Sequence, residues 1–252
     1  MKAAAISTSG PPNVLKVMEF DTPHAGVGQV RIRVKAAGIQ PFDLSVRSGW
    51  APPGFSVQYP QSMPWEEAGA ITASGQTAHT ALQELRVDKG DTILIHAAAG
   101  GVGTFAVQLA QAWGATVIGT ASERNHDYLR SLGAIPVTYG DGLIDRVRAL
   151  APDGVDVVLD AAGDDALRAS LGLVENKERI GTIVAFDLGE ELGVRPIRSQ
   201  RSVDRLAQLV ELYSKGKLHI HIRKSFPLHQ AADAHREIES GHGRGKVVLT
   251  IG

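Results

Sequence analysis

Residues 91–124 read DTILIHAAAGGVGTFAVQLAQAWGATVIGTASER. Thr92 to His96 is a short apolar run suited to a buried parallel strand, and Ala97 to Gly103 forms the turn after it. Helical spacing then takes over, with Val102, Ala106, Leu109, Ala110 and Trp113 at steps of three and four. Gly114 supplies a stop, and Thr116 to Thr120 is the next strand. The order strand, glycine turn, helix, strand is one βαβ unit. Within it, Ala98-Ala99-Gly100-Gly101-Val102-Gly103 fits the dinucleotide fingerprint G-x-G-x-x-G with alanine in first place. Gly100 lets the backbone approach a diphosphate, Gly103 lets helix and strand pack closely, and the free N–H groups at the helix start favour an anion.

The chain has 252 residues, enough for one large or two modest domains with a sizeable core. A net charge of −1 gives no electrostatic footprint for nucleic acid or an anionic membrane. The absence of cysteine removes disulfides, thiol nucleophiles and cysteine-ligated zinc. The apolar run Ala3–Ile6 is too short for a signal peptide, and no stretch reaches transmembrane length, so a cytoplasmic location is expected.

Lys2–Ile6 and Leu15–Phe20 read as short strands around a Ser9–Asn13 turn. Val30, Ile32 and Val34 alternate with Arg31, Arg33 and Lys35, which predicts a half-buried strand ending at Ala36-Ala37-Gly38. Residues 40–49 suit a short helical turn. Ser62 is placed to cap a helical region that runs through Thr77 and His79 to Leu85. Beyond the central unit, helices are expected at Glu123–Leu132, after an Asp141 cap, and at Ala166–Val174. Strands are expected at Ile135–Tyr139, Val155–Leu159, Ile180–Phe186 and Val194–Ile197. This alternation predicts a parallel sheet covered on both faces. A helix ending near Gly216, a strand Leu218–Ile222, a helix around Ala231–Ile238 and a strand Lys246–Ile251 close the chain.

Several motifs in order now point to a family: AAGIQPFDLSVRSG, PWEEAGAITASGQTAHTAL, HAAAGGVG, DAAG and the closing HGRGKVVLT. Together they resemble the zinc-free quinone oxidoreductase branch of the medium-chain dehydrogenase/reductase family. The resemblance implies an α/β fold: a Rossmann doubly wound parallel sheet with a smaller, truncated β-rich (GroES-like) substrate domain. Residues 1–60, completed by 217–252, would form the substrate domain, and 61–216 the dinucleotide-binding domain. It also implies hydride transfer from NADPH to a quinone or an activated carbon–carbon double bond, and a homodimer. Family members usually carry several dozen further residues between the proline-rich loop and the P-W-E-E-A helix. Here Tyr59-Pro60-Gln61 runs straight into Ser62-Met63-Pro64-Trp65. An internal deletion is therefore expected, one that leaves sheet edges or apolar surface needing cover.

The choice between NAD and NADP turns on the end of the second strand. Glu123 has nearly the spacing of a ribose-binding acid, yet it would also suit the first turn of a helix whatever the cofactor. Ser122 and Arg124, joined by Tyr139 through the resemblance, form a phosphate clamp, and NADPH is the favoured cofactor. Similarity brings Thr77, Gly101 and Val102 to the cofactor, and places Asp160 to Gly163, with Ala162 and Gly163, beside the nicotinamide ribose. Phe186 corresponds to a strand passing the carboxamide, or is a core aromatic. Arg244 and Lys246 match the terminal G-K, where a cation near the cofactor and an ordinary edge-strand lysine are both reasonable. No nucleophile is needed, because the cofactor carries the hydride.

Tyr59 and Gln40 are the catalytic candidates. Tyr59 lies near the substrate loop or simply packs on the junction, and Gln40 has the reach to bond a substrate carbonyl. His79 reads as a surface or satisfied histidine. His219 and His221, alternating on a strand, join His229, His235 and His242 without any metal-ligand spacing, so no metal is expected. The partner is a small molecule. The alternative reading is a homologue that binds the nucleotide but reduces nothing, acting as sensor, partner subunit or redox-neutral catalyst.

Overall fold

The computed structural model describes residues 1–27, 31, 33–50, 61–62, 71–241 and 243–251. The chain divides into two compact units, Met1–Ala70 with His221–Gly252, and Ile71–Ile220.

The first unit opens with β1 (Lys2–Ile6), β2 (Lys16–Glu19), β3 (Ala36–Ile39), α1 (Pro41–Ser48) and the two-residue β4 (Gln61–Ser62). β1 is central between antiparallel β2 and β4. Ser62, expected to cap a helix, therefore lies in a strand. The strand expected to end at Ala36–Gly38 instead runs over Ala36–Ile39, while Arg33 and Val34 lie outside any strand. Small residues suffice there because the partner strand, Lys246–Thr250, supplies the bulk. The junction at which an internal deletion is expected, Tyr59 to Trp65, falls mostly outside the described residues.

The second unit begins with a π-helical turn at Ile71–Gly75 that leads into α2 (Gln76–Glu84). Then come β5 (Thr92–Ile95), α3 (Gly103–Ala112), β6 (Thr116–Thr120), α4 (His126–Ser131), β7 (Ile135–Val137), α5 (Leu143–Leu150) and β8 (Val157–Asp160). It closes with α6 (Asp164–Ser170), β9 (Ile180–Thr182), α7 (Phe186–Leu192), β10 (Arg195–Pro196) and α8 (Val203–Ser214). The strands form one parallel sheet in the order β10-β9-β8-β5-β6-β7. This is the doubly wound Rossmann arrangement, with its topological switch between β5 and β8.

The run Ile93-Leu94-Ile95 is wholly buried because the sheet is covered on both faces. α3 is buried nearly all round, from Gly103 to Ala110. Two of its polar residues are consequently committed inside: Gln108 donates through Nε2 to the carbonyls of Thr104 (2.8 Å) and His219 (3.0 Å) and accepts from the His219 amide (2.7 Å). That side chain occupies both backbone groups of His219, so the strand expected at Leu218–Ile222 cannot start there. It starts at Ile222. The strand expected to reach Phe186 stops at Thr182, whose hydroxyl accepts from the amides of Val184 (3.2 Å) and Ala185 (2.9 Å) and turns the chain into α7. α5 is not capped by Asp141. Its N-cap is Gly142 in the left-handed region (φ 73°).

The chain then returns to the first unit through β11 (Ile222–Pro227), α9 (Ala231–Glu239) and β12 (Lys246–Thr250). β12 lies parallel to β11 and antiparallel to β3, pairing Val247 with Ile39 and Leu249 with Ala37. Ile6, Leu15, Ile39, Phe226, Ala234, Val247 and Leu249 form this unit's core.

Candidate functional site

The glycine turn is built by close backbone approach. Ala97 leaves β5 in the left-handed region (φ 51°), and its carbonyl accepts from Gly100 N–H at 2.9 Å. A Cβ on Gly103 would lie 2.3 Å from the Ala97 oxygen and 2.7 Å from the Ala98 Cα, so no side chain fits there. The alanine in first place is accommodated across the sheet: a Cβ on Gly119 of β6 would stand 2.7 Å from the Ala98 Cβ. The turn is pinned to β6, with Ala97 N–H donating to Thr120 Oγ1 (3.1 Å) and Ala98 N–H to the Thr120 carbonyl (3.0 Å). Gly100 and Val102 carbonyls start the α3 ladder, while among the described residues the amides of Gly101 and Val102 have no protein acceptor. A buried helix start with uncommitted N–H groups suits an anion.

The next two parallel strands bring two of the residues expected to form a clamp, Ser122 and Tyr139, to the same end of the sheet. Thr120 pairs with Val137, and Ser122 and Tyr139 each follow that pair by two residues. Ser122 opens a 3-10 turn over Glu123–Asn125, which also carries Arg124. Tyr139 is exposed. One residue missed by the sequence reading organises its loop: Arg146 of α5 donates to the carbonyls of Thr138 (2.9 Å from Nη2) and Asp141 (2.8 Å from Nη1), with longer bonds to Tyr139 and Gly140. The i−5 to i−8 spacing is the only trace of this in the sequence.

At the end of β8 the buried Asp160 carboxylate holds its own loop. Oδ1 accepts from the amides of Ala162 (2.9 Å) and Gly163 (3.0 Å), and Oδ2 accepts from Thr182 Oγ1 at 2.7 Å. Thr182 in turn fixes the loop after β9, so Asp160 is a scaffold for Ala162 and Gly163. Phe186 is not on a strand and is not a core aromatic. It opens α7, half-buried, with the Arg198 guanidinium 4.7 Å from its ring centroid. Thr77 sits just past the π-helical turn, where its hydroxyl donates to the Ala73 carbonyl at 2.8 Å. His79 is buried, with Nε2 2.9 Å from Gln208 Oε1 and its ring edge-on to Trp113.

In the first unit, Gln40 and Lys246 meet. Lys246 is buried, not an ordinary edge lysine, and its Nζ donates to Gln40 Oε1 (2.7 Å) and to the Ile39 carbonyl (3.2 Å). Asp43 completes the group, and its Oδ2 accepts from Gln40 N–H at 2.7 Å. Burial pushes the Asp43 carboxyl up to about 7 against the pull of the Gln40 N–H and Lys246, and burial lowers Lys246 to about 8 against the pull of Asp43. The two glycines of the closing motif serve packing: the Arg223 guanidinium occupies the space beside Gly243, and a Cβ on Gly245 would lie 2.2 Å from the His221 carbonyl. Arg244 donates from Nε to His221 Nε2 at 3.2 Å, and His221 lies outside any strand, its pKa lowered by burial and by Arg244 and Arg223. Tyr59 lies outside the described residues.

Two family models match this chain, an alcohol dehydrogenase GroES-like domain over residues 26–126 and a zinc-binding dehydrogenase over residues 132–249. The chain belongs to the medium-chain dehydrogenase/reductase family. Among solved members of this family, the quinone oxidoreductase of Coxiella burnetii superposes with a TM-score of 0.84 at 28% identity, covering 100% of this chain and 99% of that one. Among curated relatives, the human synaptic vesicle membrane protein VAT-1 homolog is 27% identical over 77% of this chain and 59% of its own length. The pikromycin polyketide synthase component PikAII of Streptomyces venezuelae is 29% identical over 90% of this chain and 8% of its own length. This chain thus spans little more than half of one relative and a small part of the other.

The second alignment runs over 307 positions, more than this chain contains, so several dozen positions of that relative stand opposite gaps here. Although one matching family model is described as zinc-binding, this medium-chain dehydrogenase/reductase has no cysteine. Among the described residues no group of three or more His, Asp or Glu is placed to hold a metal ion. The described side chains do not fit zinc. No helix among the described residues is long and apolar enough to cross a membrane.

Proposed function

We propose that this chain is an NADPH-dependent reductase of quinones or of the activated double bond of enones. The observation that carries the reading is the pair of amides, Gly101 and Val102, that find no protein acceptor among the described residues at the start of a buried helix beside the topological switch. These amides and the start of α3 would receive the diphosphate. Ser122, Arg124 and Tyr139 would take the 2′-phosphate, with Arg146 holding the loop of the last. Thr77, Ala162, Gly163 and Phe186 would line the nicotinamide half, and Asp160 keeps that loop in shape. Gln40, its carboxamide oxygen held by Lys246, is the candidate for bonding a substrate carbonyl, and Arg244 the candidate for a cation that meets the cofactor. When bound, the nicotinamide supplies the hydride, and the side chains supply position and field.

The likeness to a quinone oxidoreductase supports the substrate class. A second reading, nucleotide binding without reduction, is favoured by one observation: the several dozen positions this chain lacks relative to PikAII. Both readings are tested by titrating NADPH and NADH and then following NADPH absorbance with a small quinone or an α,β-unsaturated ketone. Binding with turnover supports the reductase, and binding without turnover across a broad panel supports the second reading. No uptake of either nucleotide by folded protein defeats both.

A further inference from the structure

His96 is wholly buried beneath the glycine turn and has no place in the reading above. Its Nε2 lies 3.0 Å from Ser170 Oγ, and its Nδ1 lies 3.5 Å from Thr120 Oγ1. The protons can be assigned from the partners. Ser170 has a single hydroxyl proton and gives it to the Ala166 carbonyl at 2.8 Å, so Ser170 can only accept from the imidazole. His96 must then carry its proton on Nε2, which leaves Nδ1 bare to accept from Thr120. Thr120 Oγ1 in turn accepts the Ala97 N–H at 3.1 Å. One directed chain of hydrogen bonds thus runs from the Ala166 carbonyl in α6, through Ser170, His96 and Thr120, to the left-handed residue that begins the turn. Burial pushes the imidazole down to about 4 despite the nearby Asp160 carboxylate, which keeps it neutral.

We propose that His96 is the positioning residue of the anion-binding turn: as the Nε2–H tautomer it orients the Thr120 hydroxyl that fixes Ala97, and so aims the Gly101 and Val102 amides. The inference rests on the dinucleotide reading. His96 is wholly buried and acts only through the Thr120 hydroxyl. Its effect is therefore confined to groups that the turn holds, and does not extend to those held at the ends of β6 and β7. A ligand with a diphosphate must feel the loss of His96, and one without must not.

Three ligands divide the molecule accordingly: NADPH, ADP-ribose, which shares the diphosphate, and adenosine 2′-monophosphate, which has no phosphate on its 5′ side. His96→Leu should weaken the first two roughly tenfold, the worth of one misplaced charge-assisted hydrogen bond, and leave the third unchanged. Thr120→Val, nearly isosteric, should do the same, which guards against a His96→Leu variant that does not fold. On the unaltered protein, a long-range proton–nitrogen spectrum of nitrogen-15 histidine should show the His96 signal as the Nε2–H tautomer, assigned by its loss in His96→Gln. Equal weakening of all three ligands, no weakening of any, or an Nδ1–H tautomer overturns the inference. Failure of the unaltered protein to bind NADPH and ADP-ribose would instead remove the dinucleotide reading, and this inference with it.

Discussion

Asp43, His96 and His235 are buried groups that titrate far from their ordinary values, and they pull stability in opposite directions with pH. Asp43 rises from 3.8 to about 7, so between about pH 4 and 7 the folded chain keeps a proton the unfolded chain has released, and stability falls as pH rises. His96 and His235 drop from 6.5 to about 4, both through burial first, His235 also through Arg47, and in that window the unfolded chain binds protons the folded chain refuses. Stability from these two falls as pH is lowered from 6.5 to 4. Each shift is worth on the order of 3 kcal/mol, so two imidazoles outweigh one carboxyl. The urea midpoint should therefore rise from pH 4 to 6.5, and Asp43→Asn should steepen that rise. A shallower profile in the variant would count against a protonated Asp43.

Arg124 is tested at the same scale. Arg124→Ala should weaken NADPH roughly tenfold and leave NADH unchanged, as read by titration, because a single charge-assisted contact to the 2′-phosphate is at stake. What the sequence could show of these residues follows from range. Ser122 is reached by counting from the end of β6, and Tyr139 only through the family resemblance. Asp43 is reached by neither, because its partner Lys246 is remote in sequence, and no local pattern distinguishes that lysine from a solvated one.

Elements carry a second kind of claim. Gly103→Ala would drive a methyl into the Ala97 carbonyl and the Ala98 backbone, both rigid, so the first turn of α3 must move. A loss of at least about 1–3 kcal/mol of stability, with loss of nucleotide binding, is expected by thermal melting and titration. Arg146→Met keeps the aliphatic stem but releases the carbonyls from Thr138 to Asp141. The amides of that loop should exchange faster with deuterium while those of β7 stay protected. The central unit was legible because strand, turn and helix each announced themselves locally, and Thr116–Thr120 forms β6 as expected. The misjudged ends are those decided by distant partners. Gln108 withholds His219 from β11, Thr182 bends the chain before Phe186, and β12 recruits Ala36–Ile39 into pairing.

For the molecule as a whole, the two units differ in how much apolar surface each can hide. Among the described residues, the first has one small buried cluster around Ile39 and Phe226, while the second has a cluster on each side of its sheet. Opening should therefore be easiest in the first unit. Hydrogen exchange at rising urea should release β1, β2 and β3 before β5, β6 and β8, and simultaneous release would mean the units unfold as one. Saturating NADPH at about a hundred times its Kd should raise the stability of the second unit by about 2.7 kcal/mol. The layered sheet was legible from alternation alone. The makeup of the smaller unit was not, because its strands come from both ends of the chain and pair across it.

The Ala98 methyl and the bare Cα of Gly119 are two halves of one volume, divided between neighbouring strands. A motif defined by letters along one strand counts this turn as imperfect, yet the space a first-position glycine would have freed is freed from the opposite side. Ala98→Gly would then open a small void instead of repairing a defect, and Gly119→Ala would collide. The exchanged pair, glycine at 98 with alanine at 119, is the combination that could restore the fit, so such fingerprints are better searched for as shared volumes than as strings.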